Sequence, residues 1–332
     1  MNYAESKIIL AEVKKASRIL LNCHRDPDPD SFGSALGLYS VLSKMGKNVR
    51  IVCPTEVFKE TVDFLDNFKK IEHIDFSKLD FSKHDLFIML DSGSWEMVSD
   101  LRDFVPPKIP TVVIDHHLTN SKFGTINLVD VKTTSTAELL YLVLKDWGVK
   151  LDGKEATALL TGILADTAAF RYPGSGIRTF KVAQELIALG ADKDGAMLHL
   201  FSSTDFNLLK GWGELMVNAK LDKENKFYWV AVNFEKYVQM GALPDLKDSF
   251  ASNFGQVIKG TDFSVTMLEV EPKKLSVSLR SRSGFDCSKI AVSLGGGGHR
   301  AASGCRVEGL AFDKAVEKVL KTAKKIANEN KS

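Results

Sequence analysis

Three short apolar runs in the first half of the chain lead straight into residues of the kinds that bind metals. "RILLNC" (residues 18–23) precedes His24, "DLFIML" (85–90) precedes Asp91, and "TVVI" (111–114) precedes Asp115, His116 and His117. Together with "NVRIVC" and "TINLV", these runs have the length and β-rich content of strands, and they alternate with helix-patterned segments such as "SALGLYSVLSKMG". Apolar strands alternating with helices specify a parallel sheet covered on both faces. In open α/β sheets ligands collect at the carboxyl ends of the strands, so these residues converge although they are far apart in the chain.

Helical patterns then take over in "TSTAELLYLVLKDWG", "KEATALLTGILADTAAF", "IRTFKVAQELIALG" and a long stretch to about residue 220. A second α/β unit starts near residue 226 with "KFYWVAVNF" and closes on the helix "AFDKAVEKVLKTAKKIANE". The expected architecture is α/β: an N-terminal parallel-sheet domain over 1–188, a helical connector over 189–225 and a smaller C-terminal α/β domain over 226–332. A chain of 332 residues is long enough for two such cores.

The formal net charge is only +2, so no global field draws in long nucleic acid or an anionic membrane, and any anion site must be local. No apolar run approaches the roughly 20 residues that span a bilayer. The start, "MNYAESKIILAEVKKAS", mixes charges with apolar residues at helical spacing, unlike a basic start followed by an apolar block. Cys23, Cys53, Cys287 and Cys305 show no metal-type spacing and are too sparse for a disulfide scaffold. Reduced core thiols in a cytoplasmic protein with no membrane partner are expected.

The stretch "HRDPDPDSFGS" (residues 24–34) sets Asp26, Asp28 and Asp30 beside His24. Buried carboxylates without a counter-charge cost several kcal/mol each and take up protons instead. A divalent cation removes the conflict, and histidine plus aspartate without cysteine suits Mn²⁺, with Mg²⁺, Co²⁺ or Zn²⁺ less favoured. Taken alone, Asp28 and Asp30 equally fit the cap of the following helix, and Asp91 before Ser-Gly-Ser fits an N-cap. Asp166, in the apolar helix "TALLTGILADTAAF", is either a further ligand or turned to solvent at the helix end. A tandem histidine after a strand has little packing value, so the three strand ends together favour a metal site.

These motifs closely resemble the DHH phosphoesterase family, whose name is the triplet found here as Asp115, His116 and His117. "HRDPDPDSFGS", "LDSGS", "VVIDHH", "STAEL" and "GILADTAAF" follow in the family's order. "SLRSRS" and "GGGGHRAASG" are similar to the DHH-associated domain of the nanoRNase and pAp phosphatase branch, so the resemblance spans nearly the whole chain. It implies an N-terminal DHH domain holding two Mn²⁺ ions, with Mg²⁺ or Co²⁺ as substitutes. His24 and Asp28 would hold one ion, Asp30, His116 and Asp166 the other, and Asp91 would bridge them. His117 would face the substrate phosphate, and Asp115 would orient one imidazole. Two departures stand out: Pro29 replaces a usual glycine, and "GSG" at 174–176 replaces an Asn-Thr-Thr-like stretch.

Two cations about 4 Å apart activate water and clamp a phosphoryl group for in-line attack, without a covalent enzyme intermediate. His117 would stabilise developing charge or protonate the leaving oxygen. The glycine run at 295–304 offers unobstructed backbone N–H groups, or else simply a flexible connector. With Arg280 at the end of "LSVSLRS" it suits a terminal phosphate, and by resemblance Arg280, Ser281, Gly297, Gly298 and His299 bind substrate. The resemblance implies short single-stranded oligoribonucleotides and linear dinucleotides as substrates, with 3′-phosphoadenosine 5′-phosphate (pAp) beside them. A long duplex would find no groove-reading element. Competing readings are a cyclic-dinucleotide phosphodiesterase and a non-catalytic RNA- or nucleotide-binding protein. The long central helices leave a homodimer open.

Overall fold

A computed structural model describes residues 3–56, 61–172, 174–298 and 300–329. The chain divides into two compact units, Met1–Ser203 and Thr204–Ser332. The first is built on six strands: β1 (Arg18–Asn22), β2 (Asn48–Cys53), β3 (Ile71–His73), β4 (Leu86–Leu90), β5 (Thr111–Asp115) and β6 (Ile126–Val129). All neighbouring pairs are parallel, in the order β3-β2-β1-β4-β5-β6. Because β1 sits beside β4 while the chain continues outward from each in opposite directions, a crevice opens beyond their carboxyl ends. His24 and Asp91 follow those two strands.

Among the described residues of this unit are the α-helices α1 (Glu5–Lys15), α2 (Pro29–Lys44), α3 (Trp95–Ser99), α4 (Thr136–Asp146), α5 (Gly153–Asp166), α6 (Ile177–Ala188) and α7 (Lys193–Phe201). Side chains alternate across a strand, so β1, β2, β4 and β5 each feed two cores. Leu21 and Ile88 pack with Phe32, Leu36, Leu140 and Leu159 of α2, α4 and α5. Their neighbours Leu20 and Phe87 face Phe76, Val98 and Val113 on the other side. The helices α2 and α5 approach closely because Gly33 and Gly162 lack side chains. A Cβ on Gly33 would lie 2.2 Å from the Ala158 carbonyl oxygen, and one on Gly162 would lie 2.5 Å from Asp30 Oδ1.

The second unit begins with α8 (Phe206–Val217) and contains β7 (Lys220–Asp222), β8 (Phe227–Val232), α9 (Phe234–Gln239), α10 (Leu246–Phe254), β9 (Phe263–Glu271), β10 (Lys274–Ser281), α11 (Ser288–Ser293), β11 (Gly297–Gly298), β12 (Ala302–Glu308) and α12 (Phe312–Glu329). Its sheet runs β11-β12-β10-β9-β8-β7 and is antiparallel except for the β8–β9 pair. On α12 a buried stripe of Ala315, Val316, Val319, Ala323, Ile326 and Ala327 covers one face of the sheet. Leu246 and Phe250 of α10 join Trp212 and Leu215 of α8 on the other.

Residues 189–225, read from sequence as a connector, do not stand apart. Ala196 and Met197 of α7 pack into the first core, whereas Trp212 and Leu215 of α8 belong to the second unit. The helical pattern breaks between them because Asp205 caps α8, accepting from the N–H groups of Asn207 and Leu208. All four cysteines are buried and free. No helix among the described residues is long and apolar enough to cross a membrane.

Candidate metal centre

The carboxyl ends of β1, β4 and β5 bring His24, Asp91, Asp115, His116 and His117 together, and the facing helices α2 and α5 add Asp28, Asp30 and Asp166. Among the described residues three groups of donor atoms result, each with its atoms within 4.8 Å of one another: His24, Asp28 and Asp91; Asp30, His116 and Asp166; and Asp91, His116 and His117. Asp91 is common to the first and third. Its Oδ2 lies 3.4 Å from His24 Nε2, and its Oδ1 lies 3.7 Å from both His116 Nε2 and His117 Nδ1. Asp91 has φ 53°, a left-handed backbone that a non-glycine residue adopts at a cost and that recurs at functional sites.

His24, Asp28, Asp30 and Asp91 are each steered by a second contact. His24 Nδ1 is 2.8 Å from the Arg25 carbonyl oxygen, which commits that nitrogen as the donor and leaves Nε2 to face the carboxylates. The Ser31 hydroxyl accepts from the His24 backbone N–H at 3.1 Å. Asp28 is the N-cap of α2, its Oδ1 accepting from the N–H groups of Asp30 and Ser31, so the capping and ligand readings of this residue coexist. Asp30 is fully buried and grips the start of α4, accepting from Thr136 N at 2.7 Å and Ala137 N at 2.9 Å. The Thr136 hydroxyl donates to Asp91 Oδ1 at 2.9 Å. Asp166, the last residue of α5, sits 3.2 Å from His116 Nε2.

Asp115 does not join the ligand-type groups. Its Oδ1 lies 2.7 Å from His117 Nδ1, and its Oδ2 accepts from Asn120 Nδ2 at 2.6 Å. Burial alone would push this carboxyl up, but the His117 hydrogen bond and charge, with Asn120, hold it below its ordinary value. Thr136, Ala137, Ser31 and Asn120 were not singled out from sequence. The signal for the first two was present in "STAEL", where Ser135 and Glu138 have capping-box spacing, and Ser135 does cap α4.

The donor set fits divalent metal. Burial pushes the Asp30 carboxyl far above its usual range, and the charges of Asp91 and Asp166 add to it. Burial opposes charge on His24, yet hydrogen bonds to Asp28 and Asp91 raise its pKa well above the ordinary imidazole value. Without a cation, this crowd of acids relieves itself only by holding protons.

In the second unit, Arg280 is half-buried, donating from Nη1 to the Leu279 carbonyl and from Nη2 to Ser252 Oγ, each at 3.1 Å. Ser281 is buried, and its hydroxyl has no hydrogen-bond partner among the described residues. Gly297 and Gly298 form an exposed edge strand on Gly304 and Ser303 rather than an open loop. Gly298 has φ 125°, and a Cβ there would meet Ser303 Cα at 2.7 Å. His299 lies outside the described residues.

An open parallel sheet with a histidine–aspartate centre at its switch point defines a metal-dependent α/β phosphoesterase class. The description "DHH family, N-terminal domain" matches residues 18–163, and "DHHA1 domain" matches residues 228–329. This chain belongs to the DHH family. It is similar to a bifunctional oligoribonuclease and PAP phosphatase of Thermus thermophilus, 30% identical over 97% of this chain and 94% of that protein. A Bacillus subtilis protein of the same description is 29% identical over 87% of this chain and 89% of its own length. The crystal structure of an exopolyphosphatase-related protein from Bacteroides fragilis shares the fold, with a TM-score of 0.91, 24% identity and coverage of 99% and 98%.

Proposed function

We propose that this protein is a manganese-dependent phosphodiesterase that holds two ions and hydrolyses short oligoribonucleotides and linear dinucleotides to mononucleotides, acting also on pAp. The observation that carries this reading is the pair of ligand groups flanking Asp91, in a chain similar along nearly its whole length to an oligoribonuclease and PAP phosphatase. His24 and Asp28 would hold one ion, Asp30, His116 and Asp166 the other, and Asp91 both. Bound divalent ions supply Lewis-acid polarisation of the phosphoryl group and activation of water.

The chain's own residues do the rest. Asp115 fixes the His117 tautomer by accepting from Nδ1–H, so that Nε2 is the atom that carries a proton to the leaving oxygen. Burial works against charge on His117, but the hydrogen bond to Asp115 and the charges of Asp91 and Asp115 raise its pKa above the ordinary imidazole value, which favours the protonated ring. Asp30 and Thr136 lock α4 against α2 and keep the carboxylates aligned. In the second unit Arg280, Ser281, Gly297, Gly298 and His299 would take a substrate phosphate, arginine suiting that group by its paired donors. The four buried, free cysteines suit action in the cytoplasm.

The test is a Mn²⁺-supplemented time course on a 5′-labelled RNA dinucleotide, an RNA 24-mer and pAp, with a His116→Ala, His117→Ala double variant alongside. Rapid loss of the dinucleotide and pAp, slow loss of the 24-mer and an inert variant are expected. An intact dinucleotide would overturn the reading, and cyclic dinucleotides would be tested next.

A further inference from the structure

Next to Asp166, and within the first unit, lies a cleft of about 360 Å³ bounded by Lys132, Thr133, Thr134, Tyr172, Gly174 and Ser175. Its volume falls in the range of small-molecule pockets. Apart from Asp166, none of its walls belongs to the metal centre. Resting on the phosphodiesterase reading above, we propose that this cleft is a nucleoside subsite, seating the base and sugar next to the phosphate under attack.

The lining chemistry selects that ligand. Tyr172 offers a half-buried aromatic face, and Val131, half-exposed on the same wall, offers apolar surface. Stacking on such a ring is sequence-tolerant because every base has a π-face. The hydroxyls of Thr133, Thr134 and Ser175 donate to the Asp130 carbonyl, Glu138 Oε2 and the Tyr172 carbonyl, which leaves their oxygens as acceptors for the hydroxyl groups of a ribose. Lys132 is exposed, and its ammonium makes no ion pair among the described residues. One lysine against the Asp166 carboxylate is too little positive charge to hold a run of phosphates, which argues against a polyphosphate chain in this cleft.

Local backbone explains why the space is there. After Asp166 the chain turns through three consecutive left-handed residues, Ala168, Ala169 and Phe170, with φ 47°, 56° and 64°. Thr167 ties the turn down: its hydroxyl donates to the Ile163 carbonyl and accepts from Phe170 N. This reversal brings Tyr172 back beside Asp166, with Tyr172 N donating to the Thr167 carbonyl. Gly174, at φ 105° and with nothing within 4 Å of a built Cβ, leaves the mouth of the cleft open. The "GSG" departure noted in the sequence therefore falls on this wall.

The experiment is calorimetric titration of the Mn²⁺-loaded full chain with adenosine 5′-monophosphate, using wild type, Tyr172→Ala, Tyr172→Phe and Lys132→Ala. In parallel, turnover of an RNA dinucleotide is compared with that of glycerophosphoglycerol, a diester with neither a nucleoside nor an aromatic ring. Tyr172→Ala is expected to weaken mononucleotide binding by about ten-fold or more and to raise KM for the dinucleotide to match. Turnover of the nucleoside-free diester stays unchanged, and Tyr172→Phe restores binding. Wild-type affinity in both Tyr172→Ala and Lys132→Ala, or equal loss on both diesters, would overturn the subsite. If the wild type binds mononucleotide through Tyr172 yet leaves the dinucleotide intact, the subsite stands and the phosphodiesterase reading falls.

Discussion

Asp115 Oδ1 lies 2.7 Å from His117 Nδ1, while its other oxygen accepts from Asn120. The fully buried carboxylate at the end of β5 therefore acts on the imidazole two residues further along rather than on a cation. Asp115→Asn keeps the size of the side chain but removes the charge that fixes the tautomer. Turnover is expected to fall about 10- to 100-fold, with Mn²⁺ binding retained. An Asn variant with unimpaired kcat would remove His117 from proton transfer.

Gly162 should tolerate no side chain. Its Cβ would lie 2.5 Å from Asp30 Oδ1 and 2.8 Å from Ala137 Cβ, both held in place by hydrogen bonding and packing. Gly162→Ala is expected to cost about 1–3 kcal/mol of stability and to weaken Mn²⁺ binding, read by thermal melts and metal titration. Gly213→Ala, with nothing within 4 Å of its Cβ, serves as the control and should melt no lower than wild type.

Metal-free protein should become less stable as pH rises. Burial and neighbouring charge raise the Asp30 carboxyl, and burial raises Asp166 although His116 pulls the other way. Burial opposes charge on His116, but the hydrogen bond to Asp166 and the charges of Asp91, Asp166 and Asp30 raise its pKa, and His24 is raised similarly. All four shifts mean that the folded chain holds protons that the unfolded chain releases, so unfolding free energy falls with rising pH. For the imidazoles, the contribution is complete below about pH 6.5 and is lost as pH climbs through the raised folded values. With chelator present, the melting temperature should drop from about pH 6.5 upward, and saturating Mn²⁺ should flatten that slope. A chelated protein whose melting temperature rises over the same window would contradict the assignment of these shifts.

Arg280 is proposed to meet a substrate phosphate. Arg280→Ala removes two hydrogen bonds of a half-buried side chain, so it should cost about 1–3 kcal/mol of stability and leave the chain folded. KM for an oligoribonucleotide should rise about ten-fold or more, the range for a charge-assisted contact. An unchanged KM would leave Arg280 a strand-face residue only.

Much of the site was legible because strands and ligand-type residues coincide in the sequence. An apolar run that stops at His24 or Asp91 marks both the strand and its functional end, and the parallel sheet brings those ends together. What escaped detection was everything carried by backbone or by the absence of atoms. The Thr136 and Ala137 N–H groups that hold Asp30 have no residue signature beyond the capping pattern around them. The close approach of α2 to α5 depends on Gly33 and Gly162, which look like ordinary helix glycines until the facing helix is known. The glycine run at 295–298 reads as loop by composition, yet Gly297 and Gly298 pair with β12 as an edge strand. A long helical pattern hid the break at Asp205, since one capping residue suffices to end one helix and begin another.

Asp91 is proposed to join two cation sites. Equilibrium dialysis of the full chain against Mn²⁺, followed by elemental analysis, measures this directly for wild type and Asp91→Asn. About two ions per wild-type chain are expected, with the variant losing bound metal and turnover together. A wild type that saturates at one ion, or an Asp91→Asn chain that keeps its full complement, would contradict it.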